Sequence, residues 1–223
     1  MTRKITAIAF DYGGVLAKMI DETTIGHMAD SVHADFEHFR TALWKFRHDY
    51  DLGVLEADSY WMQVITDAQG YWPKDKIAQK EVLATLKMLD TIAYLTFNPG
   101  LFRWIRTLHA ENYRCLMISN MAGETYDMLV KDTFLEPYFE RVILSGWINV
   151  NKPDEKIFQE AVRKMNVPAQ EILFLDDLPH NVEGARKAGL CAIQFADCSS
   201  LERILATEYP EIPRWGLLGS QSL

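Results

Sequence analysis

Five short apolar runs, set far apart along the chain, most constrain what it can fold into. They are residues 5–10 (ITAIAF), 114–118 (RCLMI), 141–144 (RVIL), 172–175 (ILFL) and 190–195 (LCAIQF). Short runs of this kind, with little polar alternation, read as strands buried on both faces. Helical patterns separate most of them. Leu101, Ile105 and Leu108 share a face just after Pro99-Gly100. Ile157, Ala161, Val162 and Met165 form a second stripe after Pro153, and residues 181–189 (NVEGARKAG) read as a helix closed by its glycine. Strand alternating with helix predicts an α/β fold: a parallel sheet with helices on both faces and ligands at the carboxyl ends of its strands.

The first gap breaks that rhythm. Residues 17–97 hold no strand-like run, and helical spacings dominate. Phe36, Phe39, Leu43 and Phe46 recur at threes and fours; Tyr60, Val64 and Ile65 do the same; a third pattern runs from about Lys74 to Asp90. About 80 residues of helix are too many for one crossover. The expectation is a helical unit at 17–97 inserted above a sheet core made of 1–16 and 98–223. Its aromatics, Trp44, Phe46, Tyr60 and Trp61, read as core of that unit.

Composition narrows the partners. Thirty-one acidic residues against 23 lysines and arginines give a net charge of −8, which repels nucleic acid and anionic membrane. No window approaches the roughly 18 uninterrupted apolar residues of a membrane span. The first apolar run is short and ends in Asp11, unlike a signal peptide, so a cytoplasmic location is expected. Cys115, Cys191 and Cys198 are odd in number with no CxxC pair; they read as buried thiols, against a disulfide framework or zinc site. Histidines 27, 33, 38, 48 and 109 show no metal spacing. In the tail from Tyr209, Trp215 either docks or frays with it.

Four polar clusters fall at or after the strand-like runs: Asp11, Ser119-Asn120, Lys152-Pro153 and Asp176-Asp177. Each has an ordinary reading alone: turn former or helix cap, turn chemistry, solvated lysine, cap of the 181–189 helix. The adjacent carboxylates repel each other at the end of a buried strand, a cost that a cation relieves, and Mg²⁺ prefers such oxygen ligands.

Taken together, FDYGGVL, ISN, NKPDEKIF and FLDDLPHNVEGARKAG occur in an order and spacing that resembles the haloacid dehalogenase-like (HAD) hydrolase superfamily, in the branch with a helical cap after the first motif. The resemblance implies a Rossmann-like core and Mg²⁺-dependent phosphatase chemistry on a small phosphorylated substrate. Residue by residue it implies Asp11 as nucleophile, forming an aspartyl phosphate. Asp11, the Gly13 backbone carbonyl and Asp177 would hold Mg²⁺, with Asp176 a ligand or a water-mediated neighbour. Ser119 and the backbone N–H of Asn120 would hold the phosphoryl oxygens, and Lys152 would pair with Asp11 and the phosphate. The physics agrees: two unit charges 4 Å apart interact by about 4 kcal/mol at an effective dielectric near 20, so a carboxylate attacking a phosphate needs cations beside it.

Position 13 departs from the pattern. Most phosphatases of that superfamily place an acid–base Asp two residues after the nucleophile; here the residue is Gly13. Loss of such a group typically costs about 10²–10⁴ in rate. Similar DxGG and DxGN motifs include sugar-1-phosphate phosphatases, whose hemiacetal leaving oxygen needs less protonation. Two other readings stay open. A 2-haloacid dehalogenase also uses an Asp nucleophile but gives no reason for Asp176-Asp177, and its usual first motif has an aromatic two positions after Asp, whereas Tyr12 sits one after. A non-catalytic HAD-like binding or regulatory protein is the other.

Overall fold

The computed structural model describes residues 4–214 and 216–218; Trp215 lies outside them. All five apolar runs form strands: β1 (Ala7–Phe10), β2 (Arg114–Ser119), β3 (Arg141–Leu144), β4 (Ile172–Asp176) and β5 (Cys191–Gln194). They make one parallel sheet in the order β3-β2-β1-β4-β5. β2 and β4 run one residue past their apolar runs. Ser119 still pairs with Leu144, and Asp176 with Gln194, so polar side chains stand on regular strand at the carboxyl edge.

The strands are buried on both faces, and successive residues serve opposite layers. Ala7 and Ala9 of β1, with Ile172 and Phe174 of β4, face one layer. It holds Ile157, Phe158, Ala161 and Met165 of α8 (Glu155–Met165) and Val182 and Ala185 of α9 (Pro179–Lys187). Ile8, Phe10, Leu173 and Leu175 face the other, with Leu101, Trp104, Ile105 and Leu108 of α5 (Pro99–Ala110) and Leu201 and Leu205 of α10 (Cys198–Glu208). Phe10 meets the Trp104 ring edge-on at 5.8 Å. The fold is α/β and Rossmann-like.

Between β1 and α5 the chain forms four helices: α1 (Glu22–Ser31), α2 (Phe36–Asp51), α3 (Ala57–Asp67) and α4 (Lys76–Ala93). Three start at an Asp whose side chain accepts a backbone N–H of the first turn: Asp21 from Thr24, Asp35 from His38, and Asp75 from Ile77 and Ala78. Such caps contribute about 1 kcal/mol each. Tyr60 and Trp61 are buried as expected, and Tyr60 stacks on Tyr50 at 4.6 Å. Trp44 is not core: it is 41% exposed.

Two short helices complete the loops at the carboxyl edge, α6 (Gly123–Leu129) after β2 and α7 (Ser145–Ile148) after β3. Polar contacts tie them and their neighbours to the end of α2. Tyr50 Oη and Thr125 Oγ1 lie 3.0 Å apart, Asn149 Nδ2 donates to Leu52 O at 2.9 Å, and Asn151 Nδ2 donates to His48 O at 3.1 Å. The three cysteines are free thiols, Cys115 and Cys191 buried and Cys198 half-buried. No described helix is long and apolar enough to cross a membrane.

Candidate functional site

The chain builds β2 and β3 on one side of β1, then crosses to build β4 and β5 on the other. The carboxyl end of β1 is therefore the point where the winding reverses, the usual ligand crevice of such sheets. Asp11 stands there, its N–H bonded to Leu175 O at 2.9 Å, so the ladder fixes its backbone. Ser119 lies on one side of it at the end of β2, Asp176 on the other at the end of β4. Lys152 arrives in the loop between α7 and α8. Its peptide is clamped by Asn120, whose Oδ1 accepts from Lys152 N at 2.7 Å and whose Nδ2 donates to Lys152 O at 3.1 Å.

Asp11, Ser119, Asn120, Lys152, Asp177 and Gly13 all line one cavity of about 200 Å³; Asp176 sits fully buried behind it. Three donors converge on a single oxygen, Asp11 Oδ1: Tyr12 N at 2.7 Å, Ser119 Oγ at 2.8 Å and Lys152 Nζ at 2.8 Å. None of the three uses Oδ2. Lys152 Nζ also reaches Asp176 Oδ2 at 2.6 Å. Asp176 accepts further from Leu178 N at 2.9 Å and from Asn181 Nδ2 at 3.0 and 3.1 Å. Its carboxylate is thus committed to protein donors, whereas Asp177 is half-buried at the cavity edge.

Burial pushes the Asp11 carboxyl up to about 7; the neighbouring Asp176 adds to the rise, while Lys152 and Ser119 oppose it. Burial, then Asp176, raises Asp177 as well. Burial alone would lower the Lys152 ammonium, yet the Asp11 and Asp176 carboxylates outweigh it and hold Lys152 raised.

These residues fit a hard divalent cation. Asp11, Asp176 and Asp177 each bring a carboxylate oxygen within 4.8 Å of the others. One buried ammonium stands against the three, and Asn181 Oδ1, buried beside them, has no hydrogen-bond partner. An all-oxygen donor set with an acidic excess suits Mg²⁺ better than softer metals. The first-motif loop is shaped to the same group. Gly14 has φ +76°, and a Cβ there would fall 2.4 Å from Asp177 Cγ. Only glycine lets the backbone pass that close to the carboxylate.

Two titratable side chains near the site are turned to other partners or other surface. Tyr12 is buried, its hydroxyl donates to Tyr94 O at 3.2 Å, and burial drives its pKa well up. His180 is exposed in the first turn of α9 and lines a separate groove with Glu183 and Lys187. Sequence reasoning did not single out Gly14, Asn181 or a second charged group, Arg47 and Asp51 of α2, which line the same cavity from above. The i, i+4 spacing of Arg47 and Asp51 was readable, but that spacing usually marks a solvated helix face.

Among solved structures, a HAD family enzyme from Bacteroides thetaiotaomicron matches with a TM-score of 0.72 at 19% identity, covering 89% of this chain and 98% of that one. Its complex with magnesium and inorganic phosphate matches at 0.68. At this identity the likeness is one of fold. Among curated proteins, glyceraldehyde 3-phosphate phosphatase of Pyrococcus abyssi is 35% identical over 106 residues, 46% of this chain and 44% of that protein. The Methanopyrus kandleri protein of the same name is 28% identical over 125 residues, 55% and 52% of the two chains. The chain thus spans about half the length of these relatives. The family model for haloacid dehalogenase-like hydrolases matches residues 5–189, and the chain belongs to that family.

Proposed function

We propose that this hydrolase is a Mg²⁺-dependent phosphatase of a small phosphorylated metabolite, working through an aspartyl phosphate on Asp11. The observation that carries the reading is the loading of Asp11: three donors on Oδ1, and Oδ2 left to attack, beside a three-carboxylate cluster. Asp11, the Gly13 carbonyl and Asp177 would hold the cation, with Asp176 orienting Lys152 and Asn181 around it. Bound there, Mg²⁺ supplies charge neutralisation for the phosphoryl oxygens.

The rest is done by the chain's own groups. Lys152 offsets the repulsion between the Asp11 carboxylate and the incoming dianion. Ser119 turns its hydroxyl from Asp11 to a phosphoryl oxygen, joined by the Asn120 N–H. Asp11 Oδ2 bonds to phosphorus as the bond to the leaving oxygen breaks, and that oxygen takes its proton from solvent. Water then attacks phosphorus, frees phosphate and restores the carboxylate. With Gly13 at the acid–base position, the reading favours leaving groups that need little protonation, such as the hemiacetal oxygen of a sugar 1-phosphate. Residues 17–97 act as the cap over this site, and 1–16 with 98–223 as the core.

The test is phosphate release from an aryl phosphate with Mg²⁺ and with EDTA. Release only with Mg²⁺ is expected; equal activity in both would remove the metal. A 2-haloacid offered without metal separates the dehalogenase reading: halide release there, with no turnover of phosphates, would replace the phosphatase.

A further inference from the structure

The roof of the cavity carries a charge pattern that the chemistry at Asp11 leaves unused. Arg47 and Asp51 sit one turn apart on α2, and both line the cavity. Arg47 Nε donates to Asp51 Oδ1 at 3.0 Å, and its Nη1 donates to Asp90 Oδ1 and Oδ2 on α4 at 3.0 and 3.3 Å. The three side chains are 11%, 15% and 6% exposed. The guanidinium carbon also lies 5.6 Å from the ring centroids of both Tyr50 and Tyr94. Arg47 is therefore held by two carboxylates and packed on two rings. Its charge is already shared between the two carboxylates.

The balance of this group is negative. Two carboxylates, Asp51 and Asp90, face the one guanidinium of Arg47. Burial lifts Asp51 to about 6, Asp90 adding to the rise and Arg47 and His48 opposing it, so the carboxylate is largely ionised at pH 7.5. The other cation in the cavity lining, among the described residues, is Lys152, already shared by Asp11 and Asp176. A second anionic group on a substrate would meet Asp51 while both cations of the lining, Arg47 and Lys152, are each already paired with two carboxylates. A hydroxyl fits instead: Arg47 occupies Asp51 Oδ1 and leaves Oδ2 able to accept. Such a bond to a charged oxygen is stronger than a neutral one. Trp44 and Met19 supply apolar wall beside it.

We propose that Asp51, held by Arg47, is the specificity-determining residue of this enzyme: it accepts hydroxyl groups of an uncharged leaving group and rejects substrates carrying a second anion. The proposal rests on the phosphatase reading. It assigns the substrate class as a monophosphate of a small neutral polyol or sugar, in contrast to diphosphates and phosphorylated carboxylic acids.

Two phenyl phosphates test it, one with a hydroxymethyl group and one with a carboxylate para to the ester oxygen, assayed with Mg²⁺ at pH 7.5. The carboxylate compound has the intrinsically better leaving group. Wild-type kcat/KM should nonetheless favour the hydroxymethyl compound by roughly tenfold or more, because like charges oppose in a cavity of low dielectric. In Asp51→Asn that ratio should fall toward unity, and Asp90→Asn, which removes the same excess charge from the far side of Arg47, should move it the same way. A wild-type ratio near one, or a ratio unmoved by both variants, overturns the assignment. p-Nitrophenyl phosphate separates the two levels: its hydrolysis with a ratio of one sinks only the selection by Asp51, whereas no phosphate release from any ester removes the phosphatase as well.

Discussion

Gly14→Ala should damage this protein in a way that Gly13→Ala does not, although the two positions are adjacent. At Gly14 a new Cβ would stand 2.4 Å from Asp177 Cγ and 2.5 and 2.7 Å from its carboxylate oxygens. Non-bonded carbons rest at about 3.5–4.0 Å, so the carboxylate must retreat by roughly 1 Å. The φ of +76° adds about 1–2 kcal/mol for an alanine, which by itself lowers the unfolding midpoint by roughly 2–8 °C in a chain of this size. At Gly13 the backbone is outside the left-handed region, and a Cβ meets the Met19 sulfur at 3.0 Å and the Tyr94 ring at 3.6 Å. Met19 is 43% exposed and its thioether can move. Gly13→Ala should therefore stay within about 0.5 kcal/mol of wild type. The second readout is the Mg²⁺ concentration giving half-maximal aryl phosphate turnover. Displacing Asp177 should raise it roughly 10–100-fold in Gly14→Ala, while Gly13→Ala changes it little. Thermal unfolding in EDTA and a Mg²⁺ titration measure both effects. Equal losses in the two variants would refute the claim that Gly14 is dictated by the approach of Asp177.

Asp11→Asn should abolish phosphate release and, in EDTA at pH 8, unfold at a higher temperature than wild type. Asp11 is raised from 3.8 to about 7, so its ionised form penalises the native state above pH 7 and the penalty fades as pH falls through that value. The gap between variant and wild type should therefore narrow as pH falls below 7 and close only below the unfolded value of 3.8; a gap independent of pH would contradict the assignment of the shift to Asp11. In a series of phosphate esters, wild-type kcat/KM should fall steeply as leaving-group pKa rises, with a sugar 6-phosphate roughly 10² or more below aryl and sugar 1-phosphates. A flat series, with chemistry rate-limiting, would mean that another group supplies the proton. Gly13→Asp, whose Cβ would meet the movable Met19 sulfur at 3.0 Å, should flatten the series by raising alkyl phosphate turnover; no gain at any leaving group would show that position 13 does not address the leaving oxygen.

Much of this was legible because burial writes itself into strands. Five apolar runs gave five strands, and the polar residues closing them, Asp11, Ser119 and Asp176, became neighbours once β1 took the centre of the sheet. Lys152 was legible only through its motif. What brings it to Asp11 is the Asn120 side chain bonding its peptide, a contact across 32 positions that no local pattern announces. The roof of the cavity was hidden for a different reason. Arg47 and Asp51 look like any exposed i, i+4 pair until Asp90, from another helix, takes the other edge of the guanidinium. Trp44 misled in the opposite sense: apolar spacing on α2 reads as core, and the helix turns that ring toward the cavity mouth instead.

The place of β1 in the sheet also sets when the site can come apart. This strand is paired along its whole length on both edges, and every residue of it is buried. Its amides have no route to solvent through local fraying, so they should exchange hydrogen for deuterium only when the whole sheet opens. Asp11 hangs from the end of that slowest-exchanging segment. The helices at 22–93 are held by no such ladder, so their amides should exchange ahead of those of β1. On the proposed reading, the carboxylate that attacks phosphorus would hang from the last part of the fold to open, and the helices over it would exchange first.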